Sequence, residues 1–168
     1  NGSTVVDIDS KYMPLGQANQ LYINNGNGRF INQQAMLNPL HPYSSRGSIS
    51  VDLDNDGVLE ILVTNNNNQL QVLKNINPTK NWIGLDFSSN TDVTNYAARI
   101  TAITTENDST TLYKNLFPPQ SFLSQSDPRI LIGLGDADSI KQLIIKWNDD
   151  TFSKFSNLAA GYYYKITK

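Results

Sequence analysis

The chain contains no cysteine and a single histidine, His41. The first absence excludes disulfides and thiolate metal sites, and it leaves the cellular compartment open. The second leaves a Ser/His/Asp hydrolase only one candidate base. That base sits in Leu40-His41-Pro42-Tyr43, a proline-flanked loop with no nucleophile motif beside it, and reads as a structural or solvent-facing loop residue. Charge is also scarce: Asp, Glu, Lys and Arg make up 17% of residues, with a net charge of −2 and no basic cluster. This excludes the electrostatic footprint of a nucleic-acid binder. No apolar run approaches the length of a membrane span. No secretory signal segment is present, and a start at Asn1 rather than Met reads as a processed or truncated product. Gly133-Leu-Gly135 lacks both the third glycine and the following helix of a dinucleotide site, so it reads as a tight turn leaving a strand.

What is present is concentrated in one stretch, Asp52-Leu-Asp54-Asn-Asp56-Gly57-Val58-Leu-Glu60. Four carboxylates in nine residues repel one another unless a cation sits between them. A hard cation with oxygen ligands fits, and Ca²⁺ is the one that tolerates so flexible a cage. Asp52, Asp54 and Asp56 would each supply a side-chain oxygen, Val58 its backbone carbonyl, and Glu60 a ligand direct or through water. Gly57 lets the chain fold back over the ion with a backbone angle other residues resist. An EF-hand is excluded, because position twelve is Val63 and the flanks are short β-branched runs, Ser48 to Val51 and Leu59 to Thr64. The loop therefore joins two strands. A solvated acidic turn without metal is the alternative, since Asp-Gly and Asn-Asp are common turn formers. Asp136 and Asp138 form a second, weaker acidic pair.

The first half repeats loosely. Val5 to Asp9 parallels Ser50 to Asp54, and Asn19-Gln-Leu-Tyr-Ile-Asn24 parallels Asn68-Gln-Leu-Gln-Val-Leu73. A period in the forties with strands throughout fits blades of a β-propeller. In the first copy Lys11 stands where the third carboxylate would be, so no calcium is expected there. Asn24-Asn-Gly-Asn-Gly28 predicts a hairpin between Leu21–Ile23 and Arg29–Ile31. Asn75 to Lys80, with Pro78, reads as the boundary between a unit over 1–78 and one over 79–168. Beyond it, strands are expected at 82–87, 98–103, 110–114, 129–132, 139–147 and 162–166, with at most one helical turn over 156–161. The fold class is all-β: partial propeller blades followed by a β-sandwich or open barrel. Arg99, Asp127 and Arg129 are candidates for a sheet-stapling ion pair. The run Tyr162-Tyr-Tyr164 would set Tyr163 opposite its two neighbours.

The second half resembles the ASPIC/UnbV domain. Asn81-Trp-Ile-Gly-Leu85, Ala97-Ala-Arg99-Ile, Phe122-Leu-Ser-Gln-Ser-Asp-Pro-Arg129, Ile132-Gly-Leu-Gly135 and Ile144-Ile-Lys-Trp147 carry the likeness. It departs from the family in having Ala97 where Gly is usual, and Asn148-Asp-Asp150 in place of a Pro-Ser/Asp-Gly turn. The first half resembles the FG-GAP/VCBS repeats that precede this domain, with Asp52 to Glu60 matching their calcium loop and Asn19 to Phe30 the strand-turn-strand closing a blade. The resemblance implies an integrin-α-like propeller with an ASPIC domain, of the secreted or envelope-exposed type. It implies binding or adhesion to a protein or glycan rather than catalysis. About two blade equivalents are present where a propeller needs at least about four, so the missing N-terminal part of the same protein is a candidate partner. The other readings are an accessory or catalytic role on a small molecule, or a purely structural cap of a propeller.

Overall fold

The computed structural model describes residues 16–37, 42–76, 81–88, 98–105, 110–116, 119–121 and 124–168. Asp7, Asp9, Lys11 and His41 lie outside them. The described elements are β-strands apart from one short 3-10 turn, Gln34–Met36. The all-β expectation is met.

Before residue 78 there are two small sheets. Strands β1 (Tyr22–Asn24) and β2 (Phe30–Asn32) form the expected hairpin, with Ile23 opposite Ile31. Strands β3 (Ser45–Val51), β4 (Glu60–Asn65) and β5 (Gln71–Leu73) form an antiparallel meander. The register of β3 on β4 runs from Val51 opposite Glu60 to Ser45 opposite Asn65. The acidic stretch is thus the connection between two paired strands.

The remaining strands are β6 (Asn81–Asp86), β7 (Arg99–Thr104), β8 (Thr111–Asn115), β9 (Pro119–Ser121), β10 (Ser124–Gln125), β11 (Ile130–Gly135), β12 (Ser139–Lys146), β13 (Phe152–Ala159) and β14 (Tyr163–Lys165). They form a four-stranded sheet in the order β13-β12-β7-β8, a three-stranded sheet β11-β6-β14 and the short pair β9-β10. The core lies between the two larger sheets. Ile83, Leu85 and Ile132 contribute from one, and Ile100, Ala102, Ile140, Leu143 and Ile145 from the other, with Trp147 and Ile166 closing the ends. The buried Trp147 donates its indole N–H to Ser153 Oγ at 2.9 Å and meets Phe87 edge-on.

Strict alternation would not bury both Ile140 and Leu143, which are an odd number of residues apart. A register shift between Ile140 and Gln142 against β7 absorbs the extra residue and returns both to the core. Strand β6 is apolar on both faces. Ile83 and Leu85 point into the core, while Trp82 and Gly84 face the other way.

Residues 156–161 form no helical turn, within the expectation of at most one, but the structure adds a strand absent from those expected: β13 runs from Phe152 to Ala159, pairing with β12 from Phe152 opposite Lys146 to Ala159 opposite Ser139. The strand is half exposed and polar along one face, so it has weak apolar periodicity. Pairing with β12 overrides the local signal.

Lys168 closes the C-terminus, its ammonium 2.7 Å from Asp149 Oδ2 and over the Trp147 ring. That contact and the Thr151 hydroxyl hold the Asp149 carboxyl down to about 2. Because the folded-state value lies below the unfolded one, its contribution is present above about pH 4 and is lost as pH falls toward about 2. Asp149→Asn should therefore lower the melting temperature at neutral pH, and the gap from the parent chain should close through that acid window. A gap that stays constant across it would remove Asp149 from the account.

Candidate metal centre

Turn chemistry shapes the loop from Asp52 to Glu60. Asn55 and Gly57 take left-handed backbone conformations (φ 61° and 84°), which glycine adopts freely and asparagine tolerates. Asp52 is 2% exposed, and its carboxylate closes the loop from within. Its Oδ1 accepts the Asp56 N–H at 3.1 Å, and its Oδ2 accepts the Gly57 N–H at 2.9 Å. Glu60, 3% exposed, accepts the Leu53 N–H on Oε2 at 3.1 Å.

Asp52, Asp54 and Glu60 each bring a carboxylate oxygen within 4.8 Å of the others. Oxygens bound to one Ca²⁺ lie about 2.4 Å from it, so two of them on opposite sides are separated by about 4.8 Å. All three can therefore share one ion. Asp56 stands outside this close group, its Oδ1 accepting the Val58 N–H at 2.8 Å, and Val58 is buried. Asp138 bonds instead to the hydroxyls of Ser139 and Thr105.

A second observation singles out the cluster. Glu60 Oε1 is buried with no hydrogen-bond partner among the described residues. The nearest cation, the Lys74 ammonium, is 3.8 Å from it and 3.1 Å from Asp54 Oδ2. Hydrogen bonding to Lys74 lowers the Asp54 carboxyl below its usual range, and Asp54 raises the lysine in return. A buried carboxylate oxygen left without a donor is costly, and this one faces the space between Asp54 and Lys74. Lys74 is twenty residues from Asp54 in the chain and carries no local signal of this role.

The loop also rests on the second half of the chain. The Tyr163 hydroxyl donates to Asp52 Oδ2 at 2.5 Å. Arg129 donates through Nη2 to the Asp52 carbonyl at 2.8 Å and through Nη1 to Asn55 Oδ1. The guanidinium is also held by Asp127, with Nη2 2.6 Å from Oδ2, and lies over the Tyr163 ring at 4.7 Å. The expected ion pair is thus Asp127–Arg129, and Arg99 makes no ion pair among the described residues. Burial pushes the Tyr163 phenol well above its usual range and the bond to Asp52 adds to this, so it remains a donor. Tyr163 does face away from its neighbours, while Tyr162 and Tyr164 meet each other edge-on.

Residues 88–168 match the family model for ASPIC and UnbV, and residues 5–63 match that for an FG-GAP-like repeat. The chain joins an FG-GAP-like repeat to an ASPIC/UnbV domain. No curated protein matches it. The acidic loop therefore falls in the matched repeat apart from its contacts with Trp82, Arg129 and Tyr163. Strand β6, whose Ile83 and Leu85 are central to the ASPIC/UnbV core, precedes the matched range. FG-GAP repeats are typical of extracellular proteins and generally bind calcium. Among the described residues no helix is long and apolar enough to cross a membrane.

A Cβ on Gly57 would fall 2.0 Å from the Trp82 ring, and the backbone there has positive φ. Gly57→Ala should destabilise the folded chain by more than the roughly 1–3 kcal/mol of backbone strain alone, with Trp82 displaced. Urea unfolding followed by tryptophan fluorescence measures it, and a loss under about 1 kcal/mol would contradict this packing.

Proposed function

We propose that the chain is a calcium-stabilised extracellular interaction module, in which the ion is structural and the partner is a protein or glycan. The observation carrying the calcium reading is the orphaned Glu60 Oε1, buried and facing the Asp54 carboxylate in a three-acid cluster. Asp52, Asp54 and Glu60 would hold the ion, with Asp56 and the Val58 carbonyl as the further ligands the loop pattern assigns. Bound there, Ca²⁺ neutralises the carboxylates and ties the β3–β4 connection. At an effective dielectric near 20, two unit charges at that spacing repel by roughly 3–4 kcal/mol, so the loop gains from a divalent ion.

Binding rather than catalysis is supported by what surrounds the loop. The cavity where it meets the ASPIC/UnbV domain, between Ser50, Leu59, Asp127 and Arg129, has a volume of about 210 Å³. That falls below the usual range of small-molecule sites, about 300–1,000 Å³; a cavity of about 310 Å³ between Arg99, Tyr113 and Phe152 reaches the range but lies apart from the loop and is lined by no carboxylate or histidine. Elsewhere the repeat shows unpaired apolar surface. Tyr22, Ile23, Phe30 and Ile31 are all exposed on the β1–β2 hairpin, as are Leu70 and Val72 at β5. Such surface suits further blade-like β structure, supplied by the same protein or by a partner.

Calorimetry should find one calcium site with a dissociation constant between about 10⁻⁶ and 10⁻³ M. At a hundredfold excess of calcium over that constant, the melting temperature should rise by about 5–10 °C relative to chelator. Asp54→Ala should abolish both effects. Identical melting curves in calcium and chelator would refute the reading.

Lys74 competes with the ion for Asp54 and Glu60. Lys74→Gln should tighten calcium binding, by up to about fivefold given the modest strength of exposed pairs. Weaker binding in that variant would show that the lysine assists the site.

A further inference from the structure

We infer that calcium binding by the loop and docking of the ASPIC/UnbV domain onto the repeat are coupled, with Arg129 and Tyr163 as the positioning residues. The inference rests on the calcium reading above and adds to it what holds the site in shape.

Every donor that Arg129 and Tyr163 offer the loop goes to an atom that fixes its path. The Tyr163 hydroxyl reaches Asp52 Oδ2, and the Gly57 N–H reaches the same oxygen, so one carboxylate joins the loop's turn to the second domain. Arg129 grips the Asp52 carbonyl and the side chain of Asn55, the residue held at positive φ. The Trp82 ring packs against Gly57, and Tyr163 packs on Trp82 with ring centres 5.1 Å apart. Two cations thus approach the acidic loop in different ways. The Lys74 ammonium lies on the ligand carboxylates and opposes the ion. Arg129 is already neutralised by the two oxygens of Asp127 and touches only a carbonyl and an amide. It orders the loop without contacting any carboxylate of the cluster.

Ordering a loop costs conformational entropy, and a loop already held by the second domain spends less of the ion's binding energy on its own arrangement. Linkage then requires the reverse: an ion that fixes the loop also strengthens the hold of the loop on Arg129 and Tyr163. Calcium becomes a device that sets the ASPIC/UnbV domain rigidly against the repeat.

The test is calcium calorimetry on the full chain, with the metal alone as the probe, comparing the parent with Arg129→Gln and Tyr163→Phe. Asp149→Asn serves as the control, because it loosens the same domain away from the loop. Each clasp variant should bind one calcium roughly tenfold more weakly, within the range typical of coupled sites. The control should match the parent, a split that a merely structural role for Arg129 would not produce. Should Arg129→Gln fail to fold, Tyr163→Phe decides alone, since it keeps the ring and removes only the hydroxyl. A clasp variant weakened by less than about threefold, or a control weakened equally, overturns the coupling. A parent chain that binds no calcium overturns the calcium reading itself, and the coupling with it.

Discussion

The carboxylate of Asp52 is the point on which the molecule turns. It is almost fully buried, and removing an ionised group from water costs several kcal/mol unless hydrogen bonds replace the lost solvation. Here three donors do so, from Asp56, Gly57 and Tyr163. Two of them shape the acidic loop and the third comes from the other domain. A single side chain therefore sets both the local turn and the long-range contact. Loss of any of the three would leave a buried lone pair unanswered.

The second domain can supply its part because of how β6 is built. Its outward positions are Trp82 and Gly84, and β14 runs parallel beside it with Tyr163 opposite Gly84. A Cβ on Gly84 would fall 2.2 Å from the Tyr163 ring, so the absent side chain lets the ring lie across the strand. From there the ring reaches Trp82 on one side and the Arg129 guanidinium on the other, while its hydroxyl meets Asp52. The inward positions, Ile83 and Leu85, are meanwhile committed to the sandwich core. A strand that is apolar on both faces is thus explained: one face is covered by its own domain and the other by the repeat's loop.

Much of this was legible in the sequence wherever the constraint is local. The alternating acids with Gly57 identify the loop, the β-branched flanks identify its strands, and Asp127-Pro-Arg129 identifies an ion pair because only one residue separates the charges. The forty-nine-residue offset of the repeat places β1 and β5 at equivalent positions. What sequence reasoning missed depends on distance along the chain. Nothing near Tyr163 announces Asp52, 111 residues away, and nothing near Arg129 announces Asn55, 74 residues away. Strand β13 was missed for another reason. Its order comes from pairing with β12, and its exposed, polar positions carry little periodicity of their own.

The placement of charge gives the candidate site a direction. Asp52 and Glu60 lie at the buried end, fixed by backbone donors and by the second domain. Asp54 and Lys74 lie at the other end, with more than half of each side chain in solvent. A cation entering from solvent would therefore meet the exposed pair first and have to part it before reaching Glu60 Oε1, the oxygen that lacks a donor. Exposed pairs are weak and screened by salt, so this gate offers little resistance to a divalent ion. The buried end differs, because backbone donors already fix the carboxylates of Asp52 and Glu60. On the calcium reading proposed above, discrimination between calcium and magnesium would rest with the exposed end, because the Asp54 side chain is the least enclosed of the three.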